Sequence, residues 1–250
     1  MNNVKRWMLL CALILTVGCS KKAEECPVVE KPLMDKKDAI TSVSIASAKD
    51  KDAAAFSLDA EIAKNAAAAA EQLIKELTAA KLTDEPLVAQ NTEVVAKLTA
   101  VKDFLLTWSD SAASAAKSKK QDDELGKLLD GSKAAISSYC KEKLRKRKDK
   151  TKRRKVCKPV LPLINDLSLA GLDEATLPQK RSALEGLSLS DESLKTPVSE
   201  IIDTLGKTEN ALKTKKDIEN KYKAYALQFT SKKADLDKAA EALKTYCAAK

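Results

Sequence analysis

The stretch LTDEPL at residues 82–87 is matched further along the chain by LSDESL at residues 189–194. The match continues at the same offset without a gap, because TEVV at residues 92–95 aligns with SEII at residues 199–202. We call this constant separation, the one between Leu82 and Leu189, the repeat offset. A repeat of this kind has to be recognised first, since it decides where domain boundaries are placed. The sequence therefore predicts two copies of one module.

Both copies also share their first and last residues. Tyr139-Cys140 aligns with Tyr246-Cys247 at the repeat offset. Further upstream, after a difference in length, CPVV at residues 26–29 is similar to CKPV at residues 157–160. Each predicted module therefore begins at a cysteine and ends in Tyr-Cys.

Apolar residues recur at helical spacing in both copies, and in the first copy they do so at alternating steps of four and three. The stripe in the first copy consists of Val94, Leu98, Val101, Leu105 and Trp108. The stripe in the second copy consists of Ile201, Leu205 and Leu212, followed by Ile218, Tyr222, Tyr225 and Phe229. It shifts by one residue near Lys215, so the two copies are not expected to pack identically there.

An earlier helix is predicted mainly in the first copy, from the residues Ile62, Ala66, Ala69, Leu73 and Leu77. The last helix of each module is predicted from a third set of core positions, which comprises Leu129, Ile136 and Cys140 in the first copy and Leu236, Leu243 and Cys247 in the second. No segment alternates between apolar and polar residues as a half-buried strand would. The predicted fold is all-α, with two tandem, duplicated small helical bundles, each closed by a disulfide.

Acidic residues cluster where helices are expected to begin. Thr83 and Ser190 each stand before two acidic residues, so we expect these hydroxyls to be N-caps and the acids to complement the helix macrodipole. The segment Asp122-Asp123-Glu124 is the densest acidic cluster of the chain. We interpret it in the same way, as the first turn of the last helix of module 1.

The predicted domain organisation has five parts. They are a signal peptide at residues 1–18, a lipid-anchored N-terminal tether at 19–35, helical module 1 at 36–140 together with Cys26, a basic linker or helix extension at 141–156, and helical module 2 at 157–250.

The N-terminal segment is typical of a signal peptide, with Lys5-Arg6 before an apolar run that is too short to span a bilayer as a helix. The residues Leu15-Thr16-Val17-Gly18-Cys19 that follow resemble the lipobox of bacterial lipoproteins. This resemblance implies cleavage before Cys19, acylation of that cysteine and anchoring to the outer membrane of the cell envelope, since Ser20 is not the retention residue aspartate. It covers only the signal and Cys19.

Four cysteines besides Cys19 remain after this cleavage, and an even number in an exported protein predicts two disulfides. The repeat favours Cys26–Cys140 with Cys157–Cys247, one bond within each module. The alternative that also respects the repeat is Cys26–Cys247 with Cys140–Cys157, one bond at each junction between modules.

The sequence argues against an enzyme. The chain contains no histidine, which excludes histidine-dependent triads and imidazole metal sites. No phosphate-binding glycine loop, calcium-binding loop or nucleophile elbow is present. We therefore predict no catalytic residue, no metal and no cofactor.

The segment KEKLRKRKDKTKRRK at residues 141–155 has eleven basic and two acidic residues in fifteen positions. Such a density of basic residues can bind anionic lipid or acidic glycan. Nucleic acid has less support, because no aromatic residue is present for base stacking. A solvated spacer is the structural alternative. The anion-binding candidates are Lys143, Arg145, Lys146, Arg147, Lys148, Lys152, Arg153, Arg154 and Lys155.

The sequence supports two functional hypotheses. The first is a lipid-anchored, non-enzymatic scaffold or partner-binding protein of the bacterial cell envelope, attached to the membrane through Cys19 and contacting another envelope protein. The second is a binder of anionic polymer or of the membrane surface through residues 141–155.

Overall fold

A computed structural model describes the backbone of residues 2–142 and 147–249, and the side chains of these residues except 2–20, 147–150 and 170. Within these ranges the chain forms helices and turns and no strand, which confirms the prediction of an all-α fold. The helices of the described ranges are α1 (Asn2–Thr41), α2 (Ala53–Ala79), α3 (Glu85–Lys141), α4 (Arg147–Asn165), α5 (Thr176–Glu185) and α6 (Glu192–Ala248), with a 3-10 turn at Leu169–Gly171.

The two longest helices, α3 and α6, match in length and in register. Each has 57 residues, and the first residues, Glu85 and Glu192, are separated by the repeat offset. Both begin after an aspartate that accepts a hydrogen bond from the first turn, at 3.0 Å from the Leu87 N–H to Asp84 and 3.1 Å from the Ser193 N–H to Asp191. The N-caps are therefore these aspartates, one residue later than predicted.

Thr83 has a different partner from the one that the sequence suggests. Its backbone N–H and its hydroxyl both donate to the Glu25 carboxylate of α1, at 2.8 and 2.6 Å, and the Asp84 N–H donates to the same group at 3.1 Å. These bonds lower the pKa of Glu25, with the hydroxyl of Thr83 as the largest cause. The start of α3 is thereby fixed to α1 next to Cys26.

No helix begins at Asp122-Asp123-Glu124, because α3 continues through these residues. The prediction that they are first-turn acids is therefore wrong. Gly126 and Gly131 also lie inside α3, although glycine is unfavourable in a helix interior. The predicted last helix of module 1 is the second half of one long helix.

The chain divides into two compact units, which do not follow the linear order of the predicted modules. Unit 1 contains Met1–Ser114 and Asn220–Lys250, and unit 2 contains Ala115–Glu219. The first part of α3 and the last part of α6 belong to unit 1. The last part of α3 and the first part of α6 belong to unit 2.

The core of unit 1 is built from α1, α2 and the parts of α3 and α6 that belong to it. The predicted stripe of α3 is confirmed, since each of its side chains from Val94 to Trp108 is buried. The sequence predicts Ile62 on the inner face of α2, but this side chain is 40% exposed and Ala63 is buried instead. Residues of α1 and α6 complete this core, namely Val29, Leu33, Ile40, Leu236 and Leu243.

The core of unit 2 is aliphatic. It draws on the last part of α3, on α4 and α5, and on the first part of α6. Its buried members are Leu129, Ile136, Cys157, Val160, Ile164, Leu167, Leu172, Leu177, Leu184, Leu194, Val198, Ile201 and Leu205.

Two disulfides connect the four cysteines, and the pairing favoured by the sequence is wrong. Cys26 pairs with Cys247 in unit 1, and Cys140 pairs with Cys157 in unit 2, with Cα–Cα distances of 5.6 and 5.8 Å. Neither bond lies within one predicted module. The alternative that spans the modules is the one that the structure contains.

The uninterrupted course of α3 explains this pairing. Cys26, in α1, lies close to the start of α3, because the neighbouring Glu25 bonds Thr83 just before that helix. Cys140 lies at the other end of α3. A disulfide requires Cα atoms within about 7 Å of each other, and the two ends of so long a helix cannot meet that condition. Each Tyr-Cys end therefore pairs with the cysteine that begins the other predicted module.

A tyrosine–aspartate hydrogen bond accompanies each disulfide. In unit 1 the Tyr246 hydroxyl donates to the Asp84 carboxylate at 2.5 Å, and in unit 2 the Tyr139 hydroxyl donates to Asp191. These partners correspond at the repeat offset. Each bond joins the end of one long helix to the N-cap of the other.

The connectivity predicts how the chain responds to cleavage. Trypsin cutting between Cys140 and Cys157 should leave one covalent particle under non-reducing conditions, and addition of a reductant should separate it into two fragments. Mass spectrometry of the non-reduced digest measures this directly. Fragments that separate without reductant would contradict the pairing.

The two disulfides should also differ in how much they contribute to the free energy of unfolding. The chain-entropy model assigns about 5 kcal/mol to the Cys26–Cys247 loop of 221 residues and about 3 kcal/mol to the Cys140–Cys157 loop of 17 residues. Replacing Cys26 and Cys247 by alanine should therefore lower the free energy of unfolding more than replacing Cys140 and Cys157, measured by chemical denaturation. Equal losses would show that loop entropy does not govern the contribution of these bonds.

The Tyr246–Asp84 bond predicts a dependence on alkaline pH. The hydrogen bond to Asp84, followed by burial, raises the pKa of Tyr246 to about 12. Because the folded pKa exceeds the unfolded value of about 10, the stabilisation is complete below pH 10 and is lost as the pH rises through 12. The difference in unfolding free energy between the wild type and Tyr246→Phe should shrink over this range.

Tyr225→Phe is the matched control for this measurement, because the Tyr225 hydroxyl bonds Ser111 and not a carboxylate. The raised pKa of Tyr246 would be contradicted if the difference in unfolding free energy between the wild type and Tyr246→Phe stayed constant from pH 9 to pH 12.

Candidate functional site

The structure locates only some of the residues that the sequence singles out. The side chain of Cys19 and the residues Lys143, Arg145 and Lys146 lie outside the described set, as do the side chains of Arg147 and Lys148. Among the described helices, none combines the length and the hydropathy that a membrane span requires.

Arg153, one of the anion-binding candidates, is engaged in a local network. Its guanidinium stacks over the Tyr139 ring, 4.1 Å from the centroid, and donates to the Tyr139 carbonyl at 3.0 Å and to the Glu142 carboxylate at 2.6 Å. The bond with Glu142 is the main cause of a raised pKa for Arg153. This side chain therefore supports the Cys140–Cys157 region. Lys152, Arg154 and Lys155 are exposed on the same helix.

Unit 1 contains a cluster of aromatic rings, which we call the aromatic cluster and which consists of Phe56, Phe104, Trp108, Tyr222, Tyr225 and Phe229. Phe104 and Phe229 stack with their centroids 5.7 Å apart, and Phe104 also meets Tyr225 edge-on at 5.8 Å. Phe56 and Tyr222 meet edge-on at 5.5 Å. The rings come from α2, α3 and α6, and they fill the interior of the unit.

A largely buried ion pair lies beside these rings. The Lys51 ammonium bonds the Asp59 carboxylate, and the two side chains are 14% and 13% exposed. The same ammonium lies 5.4 Å from the centroid of the Tyr222 ring, within the range of cation–π attraction. Burial, and then the charge of Asp59, raise the pKa of Tyr222. Unit 1 thus holds a cation between a carboxylate and aromatic rings.

Unit 2 contains an open cleft with a volume of about 520 Å³, which lies between α3, α6 and the 3-10 turn. This volume is in the range of small-molecule sites, about 300–1,000 Å³. The apolar wall of the cleft consists of Leu125, Leu169, Ala211 and Leu212. Leu169 and Leu212 also pack against the core of unit 2, so the wall continues that core.

The charged side chains around the cleft are three aspartates and three lysines, namely Asp122, Asp123, Asp130, Lys119, Lys127 and Lys215. Lys119 and Asp123 form an ion pair at 3.7 Å. A second depression of about 440 Å³ shares Asp122, Leu125 and Ala211 with the cleft.

Asp122 differs from the other acids of the cleft in being partly buried. Burial raises the pKa of this carboxyl, while the charges of Lys119 and Lys215 lower it. Within the described part of the chain, no hydrogen bond or ion pair involves the Asp122 carboxyl. A partly desolvated carboxylate without a hydrogen bond or ion pair, beside an apolar wall, is an arrangement that a cationic ligand group can satisfy.

Two features of the sequence point to this site without identifying it. Asp122 and Asp123 of the acidic cluster line the cleft and Glu124 lines the adjoining depression, although their pattern predicts a helix start. The shift of the apolar stripe near Lys215 marks the point where α6 passes the cleft. Among the described residues, no group of three or more potential ligand side chains is arranged to hold a metal ion.

Comparison of the chain with protein-family models, with curated proteins and with solved structures finds no match.

Asp122 generates a prediction about stability. A raised folded pKa means that the carboxyl contributes stability below its unfolded pKa and loses it as the pH rises through the folded value, so the charged form destabilises the fold at pH 7. Asp122→Asn should therefore raise the thermal midpoint at pH 7, and this gain should disappear toward pH 3. Thermal denaturation followed by circular dichroism at both pH values measures the effect.

Asp110→Asn, at an exposed position of α3, is the control and should change the midpoint little at either pH. A lower midpoint for Asp122→Asn at pH 7 would show that the carboxylate has a stabilising partner.

Proposed function

We propose that this protein is a lipid-anchored, non-enzymatic binding protein of the bacterial cell envelope, and that the cleft of unit 2 receives its partner. The observation that carries this proposal is the cleft itself, in which the partly buried Asp122 lacks a partner next to an apolar wall continuous with the core. Such a combination is a default candidate for a binding site.

The proposed architecture is a duplication. The chain consists of two copies of one module, in which the second half of each long helix packs in the unit that the other copy begins. The equal lengths of α3 and α6, the two Tyr–Asp bonds and the two disulfides support this view, because in each of them the two copies exchange equivalent partners.

Membrane attachment occurs through acylated Cys19, and the tether is short. Cys26 is the seventh residue after Cys19, and the disulfide to Cys247 and burial within unit 1 hold it in place. Even a fully extended chain over that distance spans only about 25 Å. Unit 1 therefore remains close to the acyl chains, whose burial in the bilayer makes the attachment lasting.

Binding of an anionic polymer or membrane surface through residues 141–155 is the second candidate. The observation in its favour is that Lys152, Arg154 and Lys155 are exposed on α4, whereas Arg153 is occupied by Glu142 and Tyr139. Replacing the three exposed residues by glutamine should then weaken binding to vesicles with anionic lipid and reduce its salt dependence. Unchanged binding by this variant would eliminate the candidate.

The anchoring is tested by Cys19→Ala. This variant should leave the membrane fraction or accumulate as the uncleaved precursor, because it lacks the thiol that is acylated. Fractionation of the cells that export the protein, with detection by immunoblot, measures the outcome. Normal cleavage with complete retention in the membrane fraction would contradict lipidation at this residue.

The binding site is tested by photo-crosslinking in the same cells. A photoreactive residue at Lys127, on the edge of the cleft, should give a discrete adduct that is lost when Ala211→Phe fills the cleft. The matched control is Ala234, the exposed residue of α6 that corresponds to Lys127 at the repeat offset and should give no such adduct. No adduct from Lys127, or an adduct that persists with Ala211→Phe, would contradict the proposal.

A further inference from the structure

We infer that the cleft of unit 2 binds a ligand in which a cationic group is attached to an aromatic ring. This inference rests on the proposed function and names the chemical class of its partner. It follows from a comparison of the interiors of the two units, position by position.

Positions separated by the repeat offset occupy corresponding places in α3 and α6. The two helices begin and end at that offset. The hydrogen bonds at their ends correspond as well, since Tyr246–Asp84 in unit 1 becomes Tyr139–Asp191 in unit 2. The register is therefore fixed at both ends of each helix.

In unit 1, aromatic rings occupy the positions of α3 and α6 that correspond to the cleft of unit 2. Phe104 of α3 stacks on Phe229 of α6, and Trp108, one turn further along α3, is fully buried. Each buried aromatic side chain removes about 150–250 Å² of surface from water. These rings close the space between the two helices.

In unit 2, none of these rings is present. The residues at the corresponding positions are Ala211 for Phe104, Asp122 for Phe229 and Lys215 for Trp108, and all three line the cleft. Ser118 stands in the place of Tyr225 and lines the adjoining depression. The cleft is therefore lined by the positions that correspond to the stacked rings of unit 1. A flat apolar group of a ligand fits in the space that those rings occupy in unit 1.

The charge preference follows from the polar groups. Lys119 already has Asp123 as its partner at 3.7 Å, while the partly buried Asp122 carboxyl has none among the described residues. Lys215 is exposed at the edge of the cleft. Among the charged side chains of the cleft, the partly buried one without an ion pair is therefore negative, and it favours a cation on the ligand.

Unit 1 shows how this sequence accommodates the same combination internally. There, the ammonium of Lys51 lies between the Asp59 carboxylate and the rings of Tyr222 and Phe56, at 5.4 and 6.0 Å from their centroids. The cleft of unit 2 supplies the carboxylate and the apolar wall but neither the rings nor an ammonium held between them. A ligand that carries both completes the arrangement.

The experiment compares three probes that share one ring system. 1-Naphthylmethylammonium, 1-naphthylmethanol and 1-naphthoate are each equilibrated by dialysis against the full chain carrying Cys19→Ala, so that no acyl chain competes for the naphthalene. The ammonium should bind saturably at one site, at least about tenfold more tightly than the naphthoate, and the alcohol should lie between them.

Two variants assign this binding to the cleft. Asp122→Asn preserves side-chain volume and should weaken ammonium binding about tenfold while leaving the alcohol unaffected. Ala211→Phe restores the ring of the corresponding position in unit 1, and it should abolish binding of all three probes and raise the thermal midpoint. Asp110→Asn, in unit 1, should bind the ammonium as the parent chain does.

Equal binding of the ammonium and the naphthoate would overturn the inference. So would undiminished binding of the ammonium to Asp122→Asn or to Ala211→Phe. If no probe binds while Lys127 still gives an adduct that Ala211→Phe removes, the ligand class is wrong and the proposed function stands. If the ammonium binds as expected but Lys127 gives no adduct in cells, the function is wrong and the chemistry of the cleft is supported.

Discussion

The attachment of the end of each long helix by a disulfide and a tyrosine–aspartate hydrogen bond is the constraint on which the rest of the structure depends. In unit 1 a disulfide from Cys26 to Cys247 and a hydrogen bond from Tyr246 to Asp84 make this attachment, and in unit 2 the bonds are Cys140–Cys157 and Tyr139–Asp191. A covalent bond and a carboxylate hydrogen bond act at the same helix end, so both the position and the register of the helices are fixed.

With the ends fixed, the interiors of the two units are able to differ. Unit 1 contains packed aromatic rings and a largely buried ion pair, and it encloses the only tryptophan outside the predicted signal peptide. Unit 2 has an aliphatic core and leaves a cleft where the rings would be. The raised pKa of the partly buried Asp122 predicts that its charged form lowers the stability of unit 2. The disulfide of unit 2 contributes to offsetting this loss.

The helical class and the apolar stripe of α3 could be predicted from the sequence, because a run of residues such as Val94 to Trp108 depends only on helical periodicity. The pairing of the cysteines could not. Cys140 occupies the same core phase whether a helix begins at Asp122 or at Glu85, and the choice depends on whether the helix continues through Gly126 and Gly131. Tertiary packing decides that choice, and intrinsic helix propensity does not. The candidate site escaped prediction for a related reason, since the cleft joins Asp122 with Leu169 and Ala211, which are distant in the sequence.

A double-mutant cycle on the Tyr–Asp pairs tests the central claim most directly. Tyr139→Phe and Asp191→Asn, singly and together, should show a coupling free energy of about 1 kcal/mol in chemical denaturation, and so should Tyr246→Phe with Asp84→Asn. The pairs at the two ends of the same helix, Tyr139 with Asp84 and Tyr246 with Asp191, should show none. Coupling between the two ends of the same helix, and its absence between α3 and α6, would contradict the account.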